Sequence, residues 1–230
     1  FGAAVLVYLL TRLVGLSEFP IYFFTDEAVQ MVRAADLVRD HFSGYSKELL
    51  PTFFTNGNQY NLSTSVYLQL IPYLLFDRSV WATRVVAALA TLLAAFSVGR
   101  ILKDIYASPY AWAGVLLLAS APAWLLHSRT AFETALATSF YAGFLWLYLL
   151  YRCKSPRYLY AAVGLGALAF YTYSPMQMIV LVTAVLLLLS DARYHWQQRG
   201  MVLRGFGLAL LLALPYARFL VNHPNENLRH

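Results

Sequence analysis

Seven stretches of this chain are apolar over nearly the thickness of a bilayer, and short basic clusters separate most of them. A membrane-crossing helix needs roughly 20 mostly apolar residues, with about 17–25 the usual range. The runs Phe1–Leu16, Ser79–Gly99, Tyr110–Leu126, Thr134–Tyr151, Tyr158–Tyr173, Met176–Ser190 and Met201–Val221 meet or approach that length. Within lipid every backbone N–H and C=O must be satisfied inside the element, so segments of this kind are read as helices. Composition agrees: 60% of residues are hydrophobic and only 12% charged, against about 25% charged in a soluble domain. The expectation is an all-α integral membrane protein, a bundle of about seven transmembrane helices forming one domain over residues 1–230.

An eighth run, Leu62–Phe76, is short and carries Gln69 and Pro72, so it crosses the bilayer or lies along its surface. Basic residues at membrane edges collect on the cytoplasmic side. If Leu62–Phe76 stays on the surface, the loops holding Arg100 and Lys103, then Arg152, Lys154 and Arg157, then Arg193, Arg199 and Arg204 all fall on that side. This predicts a cytoplasmic N-terminus and a large first external loop, residues 17–78. The formal charge of +6 is accounted for by these clusters, and no nucleic-acid partner is implied. Phe1 is no initiator methionine and the polar tail Asn222–His230 closes no recognisable unit, so the chain is expected to be a piece of a longer polypeptide.

Inside the first external loop, Ala28, Met31, Val32, Ala35, Val38 and Phe42 recur at three- and four-residue steps, while Arg33, Asp36, Arg39 and Asp40 take the opposite face. That spacing predicts an amphipathic surface helix. Pro51 and an Asn56-Gly57-Asn58 turn separate it from Leu62–Phe76.

Carboxylates at a bilayer boundary are costly unless water, a cation or chemistry keeps them there, and Asp26 and Glu27 sit just past the first apolar run. Thr25 as a helix cap with two acids in the first turn accounts for them structurally; catalysis accounts for their position at the mouth of the bundle. Arg129 and Glu133 occupy the other short external loop, and their four-residue spacing allows a surface pair worth about 0–1 kcal/mol. Alternatively Arg129 offers a planar bidentate donor to a phosphate, with Glu133 orienting it, binding a divalent cation or touching an acceptor. His127 reads as a boundary histidine before a ligand. Tyr171 and Tyr173 end the fifth run as interfacial aromatics or as sugar contacts. Cys153 is the single cysteine, which excludes an internal disulfide and a thiolate metal cluster. No Walker loop, dinucleotide glycine turn, nucleophile elbow or zinc-protease motif occurs, which argues against a soluble nucleotide as substrate.

The stretches Phe23-Phe24-Thr25-Asp26-Glu27-Ala28, Ser79 to Arg84, Ser128-Arg129-Thr130-Ala131-Phe132-Glu133, and Gly164 to Pro175 resemble, in order and sidedness, the GT-C membrane glycosyltransferases. The likeness is to glycosyltransferase family 39, the protein O-mannosyltransferase and lipid A aminoarabinose transferase branch. It departs after the fifth run, where this chain has Tyr173-Ser174-Pro175-Met176 in place of a basic or glycine-rich stretch. The resemblance implies inverting transfer of a sugar from a polyprenyl-phosphate donor to an acceptor hydroxyl outside the cytoplasm, with the acceptor's identity open. It implies Asp26 as general base, Glu27 as its companion and Arg129 as a ligand of the donor phosphate. No cofactor is certain; a divalent cation stays open, with no metal ligand set assigned. Two other classes compete: a solute or lipid transporter, disfavoured because few ionisable residues, chiefly Arg12, Arg84 and Arg218, lie inside the runs, and a non-catalytic subunit of a membrane complex.

Overall fold

A computed structural model describes residues 1–44, 47–57 and 59–224, leaving Asn58 of the expected turn and residues 225–230 of the polar tail outside. Among the described residues eleven helices follow in order: α1 Gly2–Leu13, α2 Thr25–Arg39, α3 Thr64–Phe76, α4 Val80–Asp104, α5 Ala111–Ser120, α6 Pro122–His127, α7 Glu133–Cys153, α8 Tyr158–Thr172, α9 Ser174–Ser190, α10 Ala192–Gln197 and α11 Arg199–Asn222. Three of them, α4, α7 and α11, are long and apolar enough to cross a membrane, and α1, α3, α5, α8 and α9 are shorter apolar helices.

Helix α7 is the centre, packed between α4 and α8, while α1 lies on α4 and α5, and α9 and α11 lie on α8. Small residues allow this closeness: Ala87, Ala131, Ala137 and Ala169 are buried in one cluster with Leu136 and Phe140. Apolar side chains give no hydrophobic drive between helices in lipid, so close van der Waals approach supplies the attraction. At the end formed by the C-terminus of α7, Tyr148 donates to Asp191 at 2.6 Å, Arg152 pairs with the same carboxylate at 2.8 Å, and Tyr151 meets His195 at 2.9 Å.

Three local features depart from the sequence reading. The run Tyr110–Leu126 is broken, α5 ending at Ser120 and α6 starting at Pro122. Proline has no N–H to give the carbonyl four residues back, so Leu118 O is released. Asn56 and Gly57 belong to an antiparallel hairpin, β1 Phe54–Asn56 with β2 Gln59–Leu62, in which Asn56 faces Gln59 and Gly57 takes φ +60°. That left-handed backbone favours glycine. Finally, α2 buries Glu27, Gln30, Ala34, Ala35 and Leu37, a face rotated from the predicted apolar stripe, whose Val32 stays exposed. Thr25 is the first helical residue, not the cap, and Phe24 holds the cap position. Packing on α3 and α4, with one buried charge described below, sets this rotation.

The segment between α2 and α3 is tied down by hydroxyls. Tyr67 of α3 donates to Pro51 O at 2.6 Å, and Ser63 donates to Thr52 O at 2.6 Å. Burial pushes the Tyr67 phenol up to about 12, which keeps it a neutral donor.

Gly143 of α7 sits where side chains from α8 and α4 close in. A Cβ there would lie 2.5 Å from Leu165 Cδ1 and 3.2 Å from Leu93 Cδ2. Gly143→Val is expected to destabilise by about 1–3 kcal/mol through overpacking, seen as a lowered Tm in detergent. Gly164→Ala, where a Cβ meets nothing within 4 Å, is the control expected to leave Tm unchanged or slightly raised.

Candidate functional site

The N-terminus of α2 meets the turn between α6 and α7 at one end of the bundle, and this junction gathers most of the residues singled out from sequence. Its core is an ion pair. Arg84, one turn into α4, donates from Nε to Glu27 Oε1 and from Nη2 to Glu27 Oε2, each at 3.0 Å, and the side chains are 1% and 0% exposed. A fork-to-fork pair of this kind is the strong form of a charge-assisted hydrogen bond. Glu27 also accepts the N–H of Phe24 at 3.1 Å and of Ala131 at 3.0 Å. The carboxylate thus closes the start of α2 and fastens it to the turn before α7. Phe24 rests against Phe132 at 5.2 Å between ring centroids.

Two further buried arginines complete the joint by collecting loose carbonyls. Helix ends leave C=O groups without partners, and a low-dielectric surrounding makes those expensive. Arg12 donates to Leu118 O and Ala119 O, at the α5 break, and to Ser128 Oγ at 2.9 Å. Arg129, 4% exposed, donates to Thr11 O at 2.6 Å, Arg12 O at 3.1 Å, Val14 O at 2.8 Å and Phe19 O at 3.1 Å. It therefore closes the C-terminal end of α1, where the negative end of the helix dipole also favours a cation. Arg84 does the same for Leu16 O, Pro20 O and Tyr22 O. Burial first, then the charges of Arg12 and Arg84, draw the Arg129 guanidinium below its ordinary value.

Each sequence-selected residue now has an address. Asp26, beside Glu27 in the first turn of α2, is exposed. Glu133 begins α7, half-buried; its Oε2 accepts from Gln30 Nε2 at 3.0 Å. Asp26 lies one turn before Gln30, the residue that holds Glu133, whereas Arg129 and Glu133 turn to different partners. His127 is exposed, its ring 5.7 Å from that of Phe132. Tyr173 packs partly buried against the central cluster. Tyr171 has a distinct task in α11, where Pro215 interrupts the backbone ladder. Its hydroxyl donates to Leu212 O at 2.7 Å and accepts from Tyr216 N–H at 3.2 Å, filling the gap of a broken turn. Among the described residues no three His, Cys, Asp or Glu side chains converge as a metal site.

Sequence reasoning did not select Gln30 and did not pair Arg84. A signal existed for Arg84: a charge inside an apolar run needs a partner, and Glu27 is an acid beside the run on the same side. Gln30 gave none, since a polar residue on an amphipathic helix reads as solvent-facing.

A helical frame with bilayer-length apolar helices, carrying an acidic mouth braced by buried arginines, defines a membrane-embedded class of protein. The chain belongs to the family described as dolichyl-phosphate-mannose-protein mannosyltransferase, whose profile matches residues 64–219. That segment includes Arg84, Arg129, Glu133, Tyr171 and Tyr173 and begins after Asp26 and Glu27. Comparison with curated proteins and with solved structures yields no match. Membership makes the protein a glycosyltransferase-family member and places it in a membrane.

Removing one partner of a buried pair leaves an uncompensated charge at a cost of about 3–5 kcal/mol. Glu27→Gln and Arg84→Met are each expected to collapse folded yield and Tm in size-exclusion and thermal assays. The double variant is expected to recover part of that loss.

Proposed function

We propose that the protein transfers a mannosyl-type sugar from a polyprenyl-phosphate donor to an acceptor hydroxyl, with inversion, at the non-cytoplasmic membrane face. In this reading Asp26 is the general base. It takes the proton of the incoming hydroxyl as the new bond forms at the anomeric carbon and the bond to the phosphate oxygen breaks, its electrons leaving on the phosphate. The observation that carries it is the division of labour in the first turn of α2. Glu27 is consumed by Arg84 and two backbone amides, while its neighbour Asp26 stays exposed. One acid builds the platform and the other is free to react.

Glu133 stands as the second carboxylate, orienting the acceptor hydroxyl. Charge building on the leaving phosphate needs a positive field. Arg12, Arg84 and Arg129, among the described residues three buried guanidiniums against the one buried carboxylate of Glu27, supply it. Arg129 acts on the phosphate through this field, its N–H groups being engaged by α1 carbonyls. His127 and Tyr173 remain the side chains offered to the sugar. The topology that goes with this reading has seven crossings and keeps α2, the hairpin and α3 on the surface of the reacting side.

Loss of a general base costs about 10²–10⁴-fold. Asp26→Asn is expected to reduce transfer from dolichyl-phosphate mannose to a Ser/Thr-rich peptide by that factor while membrane insertion and Tm hold. Retained transfer rejects Asp26 as base. For topology, cysteines placed at Thr64 and Phe76 in a Cys153→Ser background are expected to label from the same side as one placed at Asp26, using an impermeant maleimide on oriented vesicles. Opposite-side labelling of the two ends of α3 overturns the surface assignment.

A further inference from the structure

We propose that the end of the bundle away from α2 is a docking surface for the headgroups of anionic phospholipids, formed by α10 with the starts of α8 and α11. The inference rests on the membrane placement of the family and on nothing in the reading of Asp26.

The charge at this end is one-sided. Between residues 150 and 206 the single acid is Asp191, and Arg152 at 2.8 Å and the Tyr148 hydroxyl at 2.6 Å already engage it. Asp104 closes α4, whose next residue Ile105 packs against the same cluster as Tyr148, and it is paired with Arg100 at 2.8 Å. Lys154, Arg157, Arg193, Arg199 and Arg204 are left exposed. The fold gathers them. Tyr194 of α10 donates to Tyr151 O near the end of α7 at 2.9 Å, and a Cβ on Gly205 of α11 would lie 2.9 Å from Leu159 Cδ2 of α8. Like charges held at one end repel one another, and an external anion relieves that repulsion.

The surface beside these cations selects a lipid from among anions. Helix α10 has six residues, too few to be stable alone, and it is clamped. His195 is buried, with Nδ1 2.9 Å from the Tyr151 hydroxyl and Nε2 3.3 Å from that of Tyr148. The Arg152 guanidinium lies 4.1 Å over the Tyr194 ring. With Tyr194 and His195 turned inward, Arg193 and Trp196 share the outer face, three residues apart, and Trp196 is 75% exposed. Tryptophan at a bilayer boundary sits at headgroup level. Leu188 and Leu189 at the end of α9, and Leu203 and Phe206 at the start of α11, are exposed on either side, faces that in a membrane meet acyl chains. An arginine at such a helix end extends to phosphate depth, where its planar fork fits a phosphodiester. A soluble acidic partner would leave Trp196 and the leucines in water.

The test uses the full chain in vesicles of phosphatidylcholine mixed with phosphatidylglycerol. Native mass spectrometry of protein released from them is expected to show phosphatidylglycerol retained in preference to phosphatidylcholine. One cation near an anionic surface is worth about fivefold in affinity. Arg157→Gln, Arg193→Gln and Arg199→Gln together are therefore expected to cut the preference about a hundredfold, while the three corresponding Lys replacements keep it. Lys47→Gln with Arg78→Gln, on the two sides of α3, is expected to keep it as well. A second measurement uses the unmodified chain, so it holds even where the triple Gln variant does not fold. The emission component assigned by its loss in Trp196→Phe is expected to be quenched by brominated phosphatidylglycerol. Equal retention of the two lipids, a folded triple Gln variant with undiminished preference, or an unquenched Trp196 overturns the proposal. Displacement of the lipid by inorganic phosphate assigns the cluster to free phosphate, and displacement by polyglutamate assigns it to a soluble acidic partner; either result also overturns it.

Discussion

The bidentate contact between Arg84 and Glu27 decides how the rest of this end is arranged. A lone guanidinium or carboxylate taken out of water costs several kcal/mol even after relaxation, so neither group is stable there without the other. Their union fixes the rotation of α2, because Glu27 must face α4. It also fixes the height of α2 against α7, because the same carboxylate holds the Ala131 N–H. Gln30, one turn along on the same face, is then delivered to Glu133, and Asp26 is left on the open side. The exposed acid is a by-product of burying its neighbour.

Arginine does this work because its donors spread in a plane. Arg84 and Arg129 reach carbonyls from more than one stretch of chain, and Arg12 joins the α5 end to Ser128, at places where helices end or break and where burial leaves no water in compensation. The three lysines of the sequence, Lys47, Lys103 and Lys154, are all exposed, as suits a compact and strongly hydrated charge. The α1–loop–α4–α7 joint is therefore built less by apolar packing than by guanidiniums standing in for missing backbone partners.

Much of the frame was legible from apolar run length. Ser79–Gly99, Thr134–Tyr151, Tyr158–Tyr173, Met176–Ser190 and Met201–Val221 correspond within a few residues to α4, α7, α8, α9 and α11, because hydrophobic length is itself the physical requirement. Pro122 was the visible warning for the split between α5 and α6, and its weight depended on whether another group rescued Leu118 O. The rotation of α2 was not legible from its own stripe, since a single charge pair with a helix over fifty residues away outweighed several modest apolar side chains. At the site, the acids and Arg129 could be found by position. The division of tasks between Asp26 and Glu27 depended on which of them met Arg84, and local sequence carries no mark of that.

The interrupted turn of α11 has a bearing on how the molecule is assembled. It is completed by Tyr171, and the carbonyl of Pro215 is held by Thr52 Oγ1 at 2.8 Å from 163 positions away. A growing chain emerges N-terminus first, so both hydroxyls exist before the helix that needs them. Helix α11 thus arrives at a prepared berth, and its turn is completed by segments synthesised long before it.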